Sequence, residues 1–126
     1  MVTVKLREEV KASLKAVAAD ATGAYFGSAP VSATFPYIVF SIEEVLHEDN
    51  MALLEMEVDV VDYGENTEPA ETISDQILAG LDHRYIMTDT FQAAVYRERR
   101  QPLYENDKKV IKRRLTFQIR LHERSN

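Results

Sequence analysis

Val110-Ile111-Lys112-Arg113-Arg114-Leu115-Thr116-Phe117-Gln118-Ile119-Arg120-Leu121 is the stretch on which the fold turns. Ile111, Leu115, Phe117, Ile119 and Leu121 share one parity, and Lys112, Arg114, Thr116, Gln118 and Arg120 share the other. Successive side chains of a strand point to opposite faces, so this alternation predicts a long strand with one buried and one wet face. Arg113 alone breaks the inward set. Upstream, Phe91 to Arg97 reads as a shorter strand with Phe91, Ala93 and Val95 on one parity. Between the two lies Arg97-Glu98-Arg99-Arg100-Gln101-Pro102-Leu103-Tyr104-Glu105-Asn106-Asp107-Lys108-Lys109, too charged to be buried. Pro102 lacks a ladder donor, which argues against a central strand. An exposed, mobile basic hairpin arm is therefore expected at about residues 97–110.

Before that pair, Ala70, Ile73, Ile77, Leu78 and Leu81 recur at helical spacing, with Thr67 placed as N-cap, Glu68 and Pro69 in the first turn, and Glu71 and Asp75 facing outward. The helix is preceded by two alternating stretches. Tyr37 to Leu46 sets Ile38, Phe40, Ile42 and Leu46 on one side, and Leu53 to Tyr63 alternates Leu54, Met56, Val58 and Val60 with Glu55, Glu57 and Asp59. Their short polar link, His47-Glu48-Asp49-Asn50, predicts an antiparallel hairpin. At the N-terminus, Leu6, Val10, Leu14, Val17 and Ala18 form one stripe of a helix from about Val4 to Asp20, and Gly23 to Pro30 reads as a loop with room for a short extended piece. The expectation is a single α+β domain over residues 1–126: a four-stranded, mainly antiparallel sheet with two helices on one face, in the order helix, strand, strand, helix, strand, strand.

Composition narrows the function. The 126 residues and 45% hydrophobic content suit one modest core, and the absence of cysteine excludes disulfides and thiol chemistry. No apolar run approaches the roughly 20 residues of a membrane span, and the N-terminus meets charge early, so a soluble cytoplasmic product without a membrane partner is expected. The net charge is −6, but it is divided. From Glu43 to Asp75 every formally charged residue is acidic, whereas from Arg84 to Arg124 Lys and Arg outnumber Asp and Glu eleven to five. Acidic strands beside basic ones within the molecule would account for this, and so would one subunit's acidic face meeting its neighbour's basic face.

Catalytic constellations are not found. His47, His83 and His122 lack a second ligand at metal-motif spacing, so no metal is expected. Glu55, Glu57 and Asp59 occupy a wet strand face, where a carboxylate is not desolvated for acid–base work. Ser28, Ser41 and Ser74 lie in no nucleophile elbow, and the four glycines form no phosphate cradle, so neither catalytic residues nor a cofactor is assigned. The basic segment is the one feature that looks deployed. It could grip nucleic acid along a phosphate backbone, dock on an acidic protein surface including that of an identical subunit, or simply solvate a hairpin. A head-to-tail contact between copies closes into a ring when its rotation permits.

The order of elements, with Phe35-Pro36-Tyr37-Ile38-Val39-Phe40, Met56-Glu57-Val58-Asp59-Val60-Val61-Asp62-Tyr63 and the helix Pro69 to Leu81, resembles the tail completion, or tail terminator, family of long-tailed phages. The resemblance spans nearly the whole chain. It implies a virion protein, of phage or prophage origin, that assembles in the host cytoplasm. There it would cap the growing tail tube as a ring of about six subunits. Its partners would be itself, the tail tube protein and the head–tail connector, with no sequence-specific nucleic acid. The expected interface sets Arg97, Arg99, Arg100, Lys108 and Lys109 against Glu55, Glu57 and Asp59. The rival readings are a head–tail connector or minor tail component, a small ligand-binding or regulatory domain, and a nucleic-acid-binding module.

Overall fold

The computed structural model describes residues 2–124. In chain order the elements are α1 (Val2–Val17), β1 (Ala24–Phe26), β2 (Tyr37–Glu48), β3 (Met51–Tyr63), α2 (Glu68–Leu81), β4 (Tyr85–Met87), β5 (Phe91–Leu103) and β6 (Val110–Glu123). The strands form one six-stranded sheet in the order β1-β2-β3-β6-β5-β4. β1 runs parallel to β2 and every other neighbour is antiparallel, so the sheet is mixed. The expected four-stranded, mainly antiparallel sheet in the order helix, strand, strand, helix, strand, strand is thus corrected: the sheet is six-stranded and mixed, with an extra strand after each helix. The two additional strands, at the sheet margins, are three residues each. A span that short shows no periodicity, and β1 exists because backbone groups meet: the Ile38 N–H donates to Gly23 O and the Gly27 N–H to Phe40 O, both at 2.9 Å.

The core lies between the two helices and one sheet face. Leu6, Val10 and Leu14 of α1 and Ile73, Ile77 and Leu81 of α2 pack with Phe40, Met56, Val58, Phe91, Leu115, Phe117 and Ile119, all almost fully buried. Each such side chain contributes about 1.5–3 kcal/mol relative to exposure, which makes this the dominant stabilisation. The helices approach closely at Gly80, where a Cβ would collide with the Val17 side chain. No helix among the described residues is long and apolar enough to cross a membrane. The start of α2 differs in detail from expectation. Thr67 occupies the N-cap but makes no side-chain cap bond, and the Asn66 side-chain oxygen instead accepts the Glu68 N–H at 3.0 Å.

Two bulges reshape the sheet. One, between Glu44 and Leu46, inserts Val45. A bulge residue reverses parity beyond it, so Leu46 pairs with Leu53 on the helix-free face and is exposed, not on the core parity its spacing suggested. The other, between Arg97 and Arg99, inserts Glu98. β5 continues through it to Leu103, paired with β6 as far as Lys112. The segment expected as a mobile arm is strand over its first half, and the tip narrows to Tyr104–Lys109. β4 pairs only with Gln92–Ala94, so the outer edge of β5 is open in this half and Pro102 is tolerated there.

Candidate assembly surfaces

The helix-free face of the sheet gathers the opposite charges of the two halves of the chain. Antiparallel register sets Asp59 beside Arg114 across β3 and β6. The Arg114 guanidinium donates to both carboxylate oxygens, Nε to Oδ1 at 2.8 Å and NH2 to Oδ2 at 3.0 Å. Glu57 approaches the same guanidinium at 3.5 Å, and Arg99 lies 3.9 Å from Glu55. The hydrogen bond to Asp59, offset in part by desolvation, holds the Arg114 pKa above its ordinary value. Bidentate arginine–carboxylate pairing is among the stronger polar contacts a partly buried site offers.

A second network ties the sheet to α2. Arg100 NH1 meets Asp75 Oδ1 at 2.6 Å and Arg113 Nε meets Glu71 Oε1 at 2.7 Å, while Arg100 NH2 lies 3.4 Å from Glu71. Hydrogen bonding to Asp75 raises the Arg100 pKa. Arg113 sits on the core parity because this network receives it, and Glu71 and Asp75 face outward as expected, with side chains 43% and 71% exposed, while still reaching the basic end of the sheet.

Of the eight residues expected at an interface, Arg99, Arg100, Glu55, Glu57 and Asp59 are therefore engaged within the molecule. Arg97, Lys108 and Lys109 make no ion pair among the described residues. The Arg97 backbone N–H donates to Asp82 Oδ1 at 2.9 Å, which closes the β5 edge at that point. Lys108 and Lys109 lie at the β5–β6 tip, beside Tyr63 and several residues along β3 from the carboxylates they were expected to oppose.

A different exposed arm emerges at the opposite end of the sheet. Beyond Phe40, β2 loses the cover of β1, and from Glu43 to Asn50 every residue is exposed. Val45 and Leu46 are 58% and 57% exposed and Met51 is 49% exposed. A groove of about 390 Å³ on the helix-free side is lined by Leu46, Met51, Leu53, Arg120 and His122. Sequence periodicity missed this arm because Leu46 was read in phase with Phe40. The signal was present in Ile42-Glu43-Glu44-Val45-Leu46, where two polar and then two apolar neighbours interrupt strict alternation. Among the described residues, no three His, Asp or Glu side chains are placed to hold a metal ion.

This fold has a solved counterpart. It is similar to a chain in a structure described as the virion of a native gene transfer agent particle, with a TM-score of 0.67 and 12% identity, over 86% of this chain and 84% of that one. At that identity the likeness is one of fold. No protein-family model matches the sequence, and no curated protein matches it.

Proposed function

We propose that this chain is a structural virion protein of a phage or phage-like particle, and within that class a tail terminator that caps the tail tube as a ring and prepares the tail for joining to the head. The observation that carries the reading is the likeness of fold, over 86% of the chain, to a component of a gene transfer agent virion. The surface supports it in kind. Charged side chains of the helix-free face are largely neutralised by each other, which leaves little free basic charge for a phosphate backbone. What remains exposed is an apolar-acidic arm at one end and a basic tip at the other, the equipment of a protein that works by contact with other proteins. The partners under this reading are further copies, the tail tube protein and the head–tail connector.

The test is co-expression with the tail tube protein of the same particle, followed by electron microscopy and immunogold labelling. Tubes of defined length with label at one end are expected, and overlong tubes when this chain is omitted. Unchanged tube length with no end label would overturn the terminator reading. Absence of the chain from purified particles would overturn the virion reading altogether.

A further inference from the structure

The sheet is closed by hairpins at opposite ends, because Met51 pairs with His122 at one end of β6 and Tyr63 with Val110 at the other. At the first end stands the β2–β3 arm, with Val45, Leu46 and Met51 about half exposed. Its carboxylates Glu43, Glu44, Glu48 and Asp49 make no ion pair among the described residues. At the second end stands the β5–β6 tip. Tyr104 is 88% exposed there, beside Lys108 and Lys109.

The tip is held in shape before any partner arrives. Asp107 Oδ1 accepts the Lys109 N–H at 3.0 Å, Asp107 O accepts the Val110 N–H at 3.1 Å, and Tyr63 donates its hydroxyl to Asp107 Oδ2 at 3.3 Å. Glu105, also in the loop, accepts a hydrogen bond from Lys112 Nζ at 3.0 Å, so the loop is tied down through backbone groups and two carboxylates, while the Tyr104 ring and the two ammonium groups of Lys108 and Lys109 are left to solvent. Preorganisation of this kind lowers the ordering cost of an interface. Tyrosine also supplies rigid apolar area with a polar handle, the usual make-up of an interface anchor.

Each end lacks what the other offers. The arm presents apolar area with Glu43 and Glu48 on its β2 side and Arg120 and His122 on its β6 side, and the tip presents an aromatic ring beside two lysines whose neighbours Glu105 and Asp107 are already engaged. Complementary rims steer encounter and fix register, while the apolar centre supplies affinity. We infer that the arm of one copy receives the tip of the next, with Tyr104 seated against Leu46 and Met51 and with Lys108 and Lys109 facing Glu43 and Glu48. The contact is heterologous, so it propagates head to tail and closes into a ring where the rotation per subunit allows. This interface gives a mechanism to the self-assembly in the proposed function and rests on that reading for its biological setting only.

Sedimentation velocity of the purified chain and two charge-reversed variants tests it. In the arm variant E43K/E48K the proposed contact sets lysines against lysines, and in the tip variant K108E/K109E it sets carboxylates against carboxylates. Each alone is expected to self-associate at least about tenfold more weakly than the parent, in line with like-charge juxtaposition across an interface. Mixed at equal concentration they are expected to assemble as the parent does, in alternation, because every arm then meets a tip of opposite sign. Restoration on mixing also demonstrates that both variants are folded. A parent that stays monomeric at every concentration overturns the inference, as does a variant that assembles unimpaired or a mixture that fails to recover. Because the chain contains no cysteine, L46C/Y104C supplies an independent readout. Oxidation should yield a ladder of covalent multimers, and a product confined to monomer overturns the docking. A monomeric parent that still caps tail tubes would sink this interface and leave the proposed function standing. Assembly in solution without binding to tubes would do the reverse.

Discussion

Asp59 and Arg114 illustrate what one pair of residues contributes here. Their side chains are 14% and 31% exposed, so water screens the pair only in part. Asp59→Asn and Arg114→Ala should each lower stability to chemical denaturation, and a double-mutant cycle should return a coupling of about 1 kcal/mol, at the upper end for pairs that solvent still reaches. The raised Arg114 pKa is linked to stability with a definite sign. Its contribution is complete below the ordinary arginine value and is lost only as pH climbs through the raised one, so the Arg114 charge stays constant across the neutral range. Tyr63 titrates lower and is easier to observe. The negative charge of Asp107 is the chief cause that pushes its phenol above the ordinary value of 10.0. The folded state holds that proton more tightly, so its contribution is present at neutral pH and fades as pH rises from the ordinary value through the raised one. An absorbance titration that compares the parent with Tyr63→Phe should assign a late phenol to Tyr63, and Asp107→Asn should bring it earlier.

At the scale of elements, the meeting of α1 and α2 depends on a missing side chain. Gly80 lies inside α2, where alanine would ordinarily gain about 1 kcal/mol of helix propensity. Its Cβ would overlap the Val17 side chain, including the Val17 Cβ at 2.6 Å. Gly80→Ala should therefore lower the thermal midpoint, at a net cost of about 1–3 kcal/mol for overpacking, and V17A/G80A should recover only the part due to the Val17 methyl groups, because the alanine at that position keeps the Cβ. Elements of this kind were legible in the sequence to different degrees. β6 was clear because a partner strand on each side and a core on one face enforce period two along its length. α2 was clear because Ala70, Ile73, Ile77, Leu78 and Leu81 are all buried on one stripe. β4 was not legible and β1 showed only as a short extended piece in a loop, since three residues carry no period and their pairing is decided by backbone groups of distant segments. The reach of β5 was hidden by its arginines, whose carboxylate partners on α2 and β3 become neighbours only in the folded sheet. The pairing of charges within one molecule was hidden in the same way. Charge totals showed that acidic and basic halves exist, but register decides that Asp59 belongs to Arg114 while Lys108 and Lys109 are left for another partner.

For the molecule as a whole, this division separates the groups that hold the fold from those that face outward. The core and both ion-pair networks occupy the span of the sheet that the helices cover, and the exposed apolar arm and the basic tip lie beyond it at opposite ends. Changes at either end should accordingly alter assembly with little effect on the melting of the monomer. The half-covered strand β2 has one more consequence. β1 occupies its outer edge only from Ile38 to Phe40. Between Ser41 and Glu48, amides that point to β3 are bonded within the ladder and those that point away meet solvent. Deuterium uptake resolved to single amides should therefore alternate between slow and fast positions along this stretch and lose its phase at Val45, where the bulge lies. Uniformly slow uptake in the dilute monomer would mean that the outer edge of β2 is covered. Slowing that appears only at high concentration would make these amides a built-in gauge of how many subunits have found a neighbour.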